Sequence, residues 1–530
     1  MRHYDVAVVG MGPVGSAAAI FLAHAGLKVV TVERDPEVYA LPRAVGMDGE
    51  VIRAFQRIGI GQPVADLMQA VQPGDRAGFA NSQREWLFGA DLGDFGNNGW
   101  PPISMFDQPE FDRYLRDYAA DHSNVTSYSG FDFKRFTDDG QRVSCSISPS
   151  GLGIENKEEV ETSDDSLEFS VSYVLACDGA SSGIRKRLNI PWRDLGYDHD
   201  WLVVDVIVNS KHTLNRDTVQ VCSPDRLATY VCTKDPYRRW EFKLNDGERP
   251  EDMVTEESIR TLLDPWTPRD SYTIRRKAVY QFHAAIAEEW SRGRVFLVGD
   301  AAHQTPPFLG QGMNAGMRDA INIAWKLSLV LSGSSDPSLL TQYQAERAAH
   351  AQDLVQWAVD FGKLMEQLAA TEDAQNRGIP VPEVETQDKN QSSGYGQGRE
   401  APPLRDGVII VEQVSNEGST GYLFSQPMVK DNSDNVFLLD EKLDQDFTIV
   451  VRTESEIELN EISRSIISRL GMTIISLEDF TAVRGHFDRL FTGSQAVVVR
   501  PDRYVFGHTS DQLDLNQLLA QLADKLHLEL

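Results

Sequence analysis

Cysteine is scarce in this 530-residue chain: Cys145, Cys177, Cys222 and Cys232 are the four, and none follows residue 232. No two form a C-x-x-C pair and no spacing suits a metal site. A disulfide-stapled miniprotein is therefore excluded, as is thiol redox chemistry in the second half of the chain. Positive charge is also short, with 51 basic against 79 acidic residues and a net of −28. Such a surface repels a phosphate backbone or an anionic bilayer, so nucleic acid and membrane partners are not expected. The acidity serves solubility. No apolar run is long enough to span a bilayer, since the most apolar stretch, 17–32, carries His24 and Lys28 and is amphipathic. No charged leader precedes the strand-like run that begins at Tyr4, so a reduced, cytoplasmic protein is expected. No internal repeat is visible. What is present is ordinary globular composition, 41% hydrophobic and 25% charged, in a length that allows two to four domains at about 150 residues each.

The first motif stands at the start. Residues 4–9 (YDVAVV) form an apolar run that suits a buried parallel strand, 14–25 read as a helix, and 28–32 as a second strand ending at Glu33. Between the first strand and the helix lies Gly10-Met11-Gly12-Pro13-Val14-Gly15. Gly10 permits the tight turn, Gly12 lets backbone approach a pyrophosphate, and Gly15 lets the helix pack on the strand. The helix N-terminus supplies donors to the phosphates. Glu33 can accept both ribose hydroxyls and would repel a 2′-phosphate, so FAD or NAD is expected there rather than NADP. Arg34 beside it is a further cofactor-binding candidate.

Two later motifs choose FAD. VLAC (174–177) runs into Asp178-Gly179, and RVFLVG (294–299) runs into Asp300-Ala301-Ala302-His303, then Pro306-Pro307 and Gly310-Gln311-Gly312-Met313-Asn314. Asp300 can accept a ribityl hydroxyl, or cap a helix. Gly310 to Asn314 opens a long helix whose free amides can face a flavin ring. Together the three motifs resemble the class A flavoprotein aromatic hydroxylases, the para-hydroxybenzoate and phenol hydroxylase group. The resemblance covers roughly residues 1–370. It is similar in particular to the 3-(3-hydroxyphenyl)propionate and polyketide hydroxylases, through 305–331, through RRWEF (238–242) and through the tail after residue 400. It implies that Asp178 and Gly179 serve the flavin and the reductant's approach. Arg43 and Gln108 match family positions that touch FAD, and Pro307, Gly310, Gly312, Met313 and Asn314 line the flavin.

The expected fold is α/β: a Rossmann-type FAD-binding domain with an inserted β-sheet substrate domain, plus a thioredoxin-like C-terminal domain. The first part of the FAD domain spans 1–185. The β-rich substrate domain spans 186–285, where Val, Thr, Tyr and Trp abound. The FAD domain resumes over 286–370 with long helices. Residues 371–407 form a linker, with Pro380, Pro382, Pro402 and Pro403. The tail spans 408–530, for packing or for a homodimer contact. The acidic stretch Glu155 to Asp165 reads as an exposed connection between strands.

The implied activity is hydroxylation of a phenolic ring by NADPH or NADH and O2, through a flavin C4a-hydroperoxide and with FAD bound non-covalently. The alternatives are epoxidation or Baeyer-Villiger oxygenation of a polycyclic natural product, or a flavoprotein without turnover. A base near the phenol raises the rate, because a phenolate is the better nucleophile. Asp48, after Arg43-Ala-Val-Gly-Met, is the candidate base and could equally cap the helix that starts near Glu50. Tyr280 and His283 are further catalytic candidates, although period two puts them on opposite faces of a regular strand. Arg238 or Arg239 could meet a substrate carboxylate, at most one of them because adjacent strand residues face opposite ways, with Arg239 carried as the candidate, and Tyr230 could line the pocket. No metal is expected.

Overall fold

The computed structural model describes residues 1–93, 96–152, 166–209, 214–381, 401–416, 418–443, 446–453, 458–487, 491 and 494–528. The expected acidic connection at 155–165 lies outside them, as does most of the expected linker.

The fold is mixed α/β, and its first sheet is built around parallel strands. Val295–Leu297, Leu167–Ala176, Arg2–Val9, Val29–Glu33 and Val125–Ser129 lie side by side in that order. Val6, Ala7 and Val8 are fully buried, as a strand covered on both faces requires. The helix Pro13–His24 covers it with an Ala-rich surface and packs against the helix Gln311–Leu331. The C-terminal ends of three parallel strands lead into Gly10, Cys177 and Val298, so the motifs far apart in sequence meet at one sheet edge.

The second sheet has eight strands in the order His303–Gln304, Tyr272–Ala287, Trp192–Val208, Tyr237–Lys243, Leu227–Cys232, Thr218–Cys222, Arg76–Ala80 and Trp86–Asp91. Its last two strands come from within 1–185, outside the 186–285 range expected for it. They dock because Thr218–Cys222 offers its free edge to Arg76–Ala80 in parallel. Alternation gives the sheet two faces. Leu202, Val204, Val206, Trp240 and Phe242 turn to the back, where Ile259 and Leu263 of the helix Glu256–Leu263 cover them. Trp201, Asp205, Arg239 and Tyr280 share the front, which faces the first domain.

The helix Thr341–Arg377 crosses that front, with Phe361 4.6 Å from Phe79 and Glu366 2.5 Å from Lys243. It corrects the expected linker start at 371. Nothing breaks the helix before Gly378, which takes φ 64° as its C-cap, and Pro380 follows.

In the tail, Thr448–Val451 pairs in parallel with Thr473–Ser476 and antiparallel with Ala496–Val499, which pairs with Val505–His508. The helices Glu461–Arg469 and Leu515–Lys525 pack together against this sheet. The tail is joined to the first domain by buried ion pairs. Arg500 meets Glu346 at 2.7 Å, and Arg53 meets Asp440 at 2.7 Å. No helix of the described residues is long and apolar enough to cross a membrane, and none of their His, Cys, Asp or Glu clusters could hold a metal.

Candidate active site

The opening turn is built for close backbone approach. Gly10 has φ 94°, and a Cβ there would lie 2.4 Å from the carbonyl oxygen of Cys177. A Cβ at Gly15 would lie 1.9 Å from the carbonyl oxygen of Gly10. At Gly12 the same atom would meet nothing within 4 Å. The helix starts at Gly12 with no side-chain cap, so its N-terminal dipole is left for an anion from outside. Glu33 closes the turn: its Oε2 accepts from the Met11 amide at 2.6 Å, and Arg116 lies 3.6 Å away. Gly12 thus leaves a cradle that a side chain would fill, beside a carboxylate at a strand end, and this fits a dinucleotide. Arg34 lies in solvent beside Asp35, its side chain 70% exposed, because it follows the last inward residue of the strand. Asp178 accepts from the Ile184 amide at 3.0 Å, Gly179 takes φ 77°, and Asp300 is exposed at the end of its strand.

Arg43 and Gln108 are brought together. The Gln108 Oε1 accepts from the backbone amides of Arg43 and Ala44 at 2.8 and 2.7 Å, which sets the path of the 42–44 loop. Its Nε2 donates to Asp112 at 3.2 Å. Burial pushes the Asp112 carboxyl up to about 7, against the opposing pull of Gln108, Arg116 and Arg43. The folded value exceeds the unfolded one, so the neutral carboxyl stabilises the fold at low pH, and that stability is lost as pH rises from about 4 to about 7. Asp112→Asn should therefore raise the melting temperature near pH 8 by a few degrees (about 2–4 °C) and flatten its decline from about pH 5. Thermal denaturation across that range measures it, and an unchanged slope would remove Asp112 as the cause.

Asp48 occupies the N-cap position of the helix Gly49–Arg57, but its side chain makes no cap hydrogen bond. Its Oδ2 instead accepts from Gln311 Nε2 at 2.9 Å and Arg318 Nη2 at 3.0 Å. Its amide donates to Asn314 Oδ1 at 3.1 Å. Arg318 also binds Glu50 at 2.8 Å. Burial disfavours the Arg318 charge, but Glu50 and Asp48 overcome that and raise its pKa. The buried cluster lies under the first turn of Gln311–Leu331, whose N-cap Gly310 takes φ 62° and leaves the helix without a side-chain cap. Gly312 has open space where a Cβ would be, and Met313 packs partly buried against the main core. Ahead of this turn, Pro307 begins a short 3-10 helix whose Phe308 packs on Trp201, ring centroids 5.2 Å apart.

The second sheet's front face is polar at its centre. Arg239 donates to Asp205 at 2.7 and 3.1 Å and to the carbonyl oxygens of Arg43 and Pro42 at 2.7 and 3.1 Å. Arg276 binds Asp205 at 3.3 Å, the Pro42 carbonyl, and the Tyr280 hydroxyl at 2.5 Å. This corrects the expectation for Arg239. It does face the first domain, but its donors clamp the 42–43 loop and are not offered to a substrate carboxylate. Tyr230 is corrected too. It packs behind the sheet with Trp240 and Trp266, and its hydroxyl donates to the Asn215 carbonyl at 2.5 Å. His283 lies on the opposite face from Tyr280, 46% exposed and 3.7 Å from Asp198, away from the face that carries Arg239 and Arg276. Sequence reasoning passed over Asp205, Arg276, Gln311 and Arg318. The signal for Asp205 was legible: an acid inside LVVDVIV calls for a buried cation.

Comparison with known proteins identifies the family. The family described as FAD binding domain matches residues 3–358, and the HcaD C-terminal domain matches 421–525. A 3-(3-hydroxy-phenyl)propionate/3-hydroxycinnamic acid hydroxylase 2 of Burkholderia vietnamiensis is 30% identical over 95% of this chain and 93% of its own. A probable NADH-specific resorcinol 4-hydroxylase of Rhodococcus jostii is 31% identical over 98% of this chain and 95% of its own. The fold is also that of aklavinone-11 hydroxylase, solved with FAD and aklavinone, at TM-score 0.79 and 22% identity over 99% of both chains.

Proposed function

The chain belongs to the FAD binding domain family, among its flavoprotein aromatic hydroxylases, and from that premise we propose that it adds one oxygen atom to a phenolic ring at the expense of NADH or NADPH. One atom of O2 enters the ring, and the other leaves as water with the hydride and a proton. The observation that carries this reading is the loop Pro306–Gly310. It joins the second sheet through Phe308 on Trp201 and starts the uncapped helix above Asp48.

FAD, when bound, supplies the ring that takes hydride from the nicotinamide and activates oxygen. Gly10, Gly12, Gly15, Glu33, Arg43, Gln108, Asp178, Gly179 and Asp300 would hold the dinucleotide. The uncapped turn Gly310–Asn314 would offer its amides to negative charge on the ring. Asp48 is the proposed acceptor of the phenol's proton. Tyr280, its hydroxyl held by Arg276, orients the ring from the sheet side. The packed loop and sheet exclude water from the reacting atoms.

The test is NAD(P)H oxidation by the holoenzyme with and without a phenol panel, product masses recorded. A phenol that stimulates oxidation and gains one oxygen atom supports the reading; no stimulation by any phenol overturns it. Asp48→Asn should retain FAD and lower kcat by about 100-fold. Its loss should be deepest at low pH, where phenolate is scarce. A variant with full kcat would reduce Asp48 to a brace for Arg318.

A further inference from the structure

One carboxyl on the second sheet's front face has no part in the clamp described above. Glu241 lies in Tyr237–Lys243, flanked across the sheet by Val203 and Thr229. Its neighbours Trp240 and Phe242 enter the core behind the sheet. Glu241 therefore shares the front with Arg239, two residues earlier. It is 5% exposed. Among the described residues no donor is hydrogen-bonded to it: Arg239 Nη1 is 3.9 Å away and already donates to the Arg43 carbonyl at 2.7 Å. Burial pushes the carboxyl up, and Arg239 only partly reverses that. A largely buried carboxyl held only by an ion pair at 3.9 Å costs free energy that a hydrogen-bonding ligand can offset. On the same face Trp201, paired with Lys243 and one pleat along from the Val203–Glu241 pair, packs on Phe308 of the loop that precedes the helix Gln311–Leu331.

We propose that Glu241 binds a hydroxyl group of the substrate, and that the substrate is a neutral ring with a second hydroxyl rather than one bearing a carboxylate tail. This rests on the phenol hydroxylase reading. The charge inventory of the front face carries the exclusion. Arg239 and the Nη atoms of Arg276 are engaged by Asp205, Tyr280 and the 42–43 carbonyls, and Lys243 is engaged by Glu366. A tail carboxylate arriving here would add a negative charge to a face whose described charges already balance, Arg239 and Arg276 against Asp205 and Glu241, and Lys243 against Glu366. A hydroxyl completes Glu241 in either protonation state, donating to the carboxylate or accepting from the acid. The two similar relatives, one named for a hydroxyphenylpropionate and one for resorcinol, differ in this respect.

The experiment titrates the holoenzyme with phenol, resorcinol and 3-(3-hydroxyphenyl)propionate, following the flavin absorbance and the stimulated NAD(P)H oxidation. Wild type should bind resorcinol about tenfold tighter than phenol and the propionate more weakly than either. Glu241→Leu should erase the resorcinol preference and leave phenol within about twofold. Glu241→Gln, nearly isosteric, should keep most of the preference and gain affinity for the propionate. Flavin content and melting temperature show that both variants fold. Equal binding of the three ligands, tighter binding of the propionate, or an unmoved resorcinol affinity in Glu241→Leu overturns the proposal while leaving the hydroxylase reading intact. Failure of every phenol to perturb the flavin or stimulate oxidation overturns both.

Discussion

Gly12→Ala should give a folded, colourless protein. The backbone at Gly12 has φ −68°, which any residue adopts, and a Cβ there meets no atom within 4 Å. The substitution is therefore free of strain in the protein itself. The space it fills is the space beside the uncapped helix start, where the pyrophosphate of a dinucleotide must approach backbone. A methyl group there holds the phosphates off the helix amides. FAD affinity should fall by about 100-fold or more, with the melting temperature of the apoprotein unchanged. Gly15→Ala should behave differently. Its Cβ would lie 1.9 Å from the Gly10 carbonyl oxygen and 3.1 Å from Cys177 Cβ, so helix and strand must separate. The apoprotein itself should lose about 1–3 kcal/mol or more, and FAD with it. The ratio of flavin to protein after purification, with apoprotein melting curves, separates the two. Stoichiometric FAD in Gly12→Ala would mean that the phosphates lie elsewhere.

Asp440→Ala should be strongly destabilising although it lies outside the cofactor site. Asp440 belongs to the tail, yet it accepts from Arg53 Nε and Nη2 at 2.8 and 2.7 Å, and from Arg503 Nε at 3.0 Å. Arg53 is in the helix Gly49–Arg57, directly after Asp48, and also reaches the Phe424 carbonyl and Asn98. All three charged groups are buried. Removing the carboxylate leaves two guanidiniums facing each other out of water, a loss of about 3–5 kcal/mol. Burial alone would raise the Asp440 pKa, but Arg53 and Arg503 bring it well below the usual carboxylate range. Its folded pKa is depressed, so its contribution is present above about pH 4 and lost as pH falls further. Denaturant unfolding at neutral pH measures the loss, and Asp440→Asn should lose less by keeping hydrogen bonds. A change below about 1 kcal/mol in Asp440→Ala would show that water reaches the pair.

Much of the molecule was legible in the residues because its causes are local. The turn at Gly10 needs a positive φ, the helix after it needs Gly15 to approach the strand, and Glu33 ends an apolar run. Each is decided within a few residues, so spacing alone locates it. The mixed α/β architecture follows from the same periodicities. The second sheet was less legible. Alternation along Tyr272–Ala287 correctly separated Tyr280 from His283, but it could not say which face looked inward. The register shifts near Asp194 and between Asp205 and Val206 are set by strand pairing, not by the strand's own sequence.

The adjacent pair Arg238 and Arg239 shows the limit. Period two allowed one of them to face the first domain, and Arg239 does. What it does there was decided by Asp205, on the neighbouring strand, and by two carbonyls at 42 and 43, nearly 200 residues earlier. Asp48 is alike: its position before a helix suggested a cap, and Gln311 and Arg318 drew its carboxylate elsewhere. The sequence by itself determined the Gly10–Gly15 turn and the uncapped helix start after it, since glycine conformation and strand-helix spacing are short-range. Only the tertiary structure decided which charges meet, Arg239 with Asp205 and more distantly with Glu241, because a buried ion pair is chosen by groups that meet in space after the chain has folded.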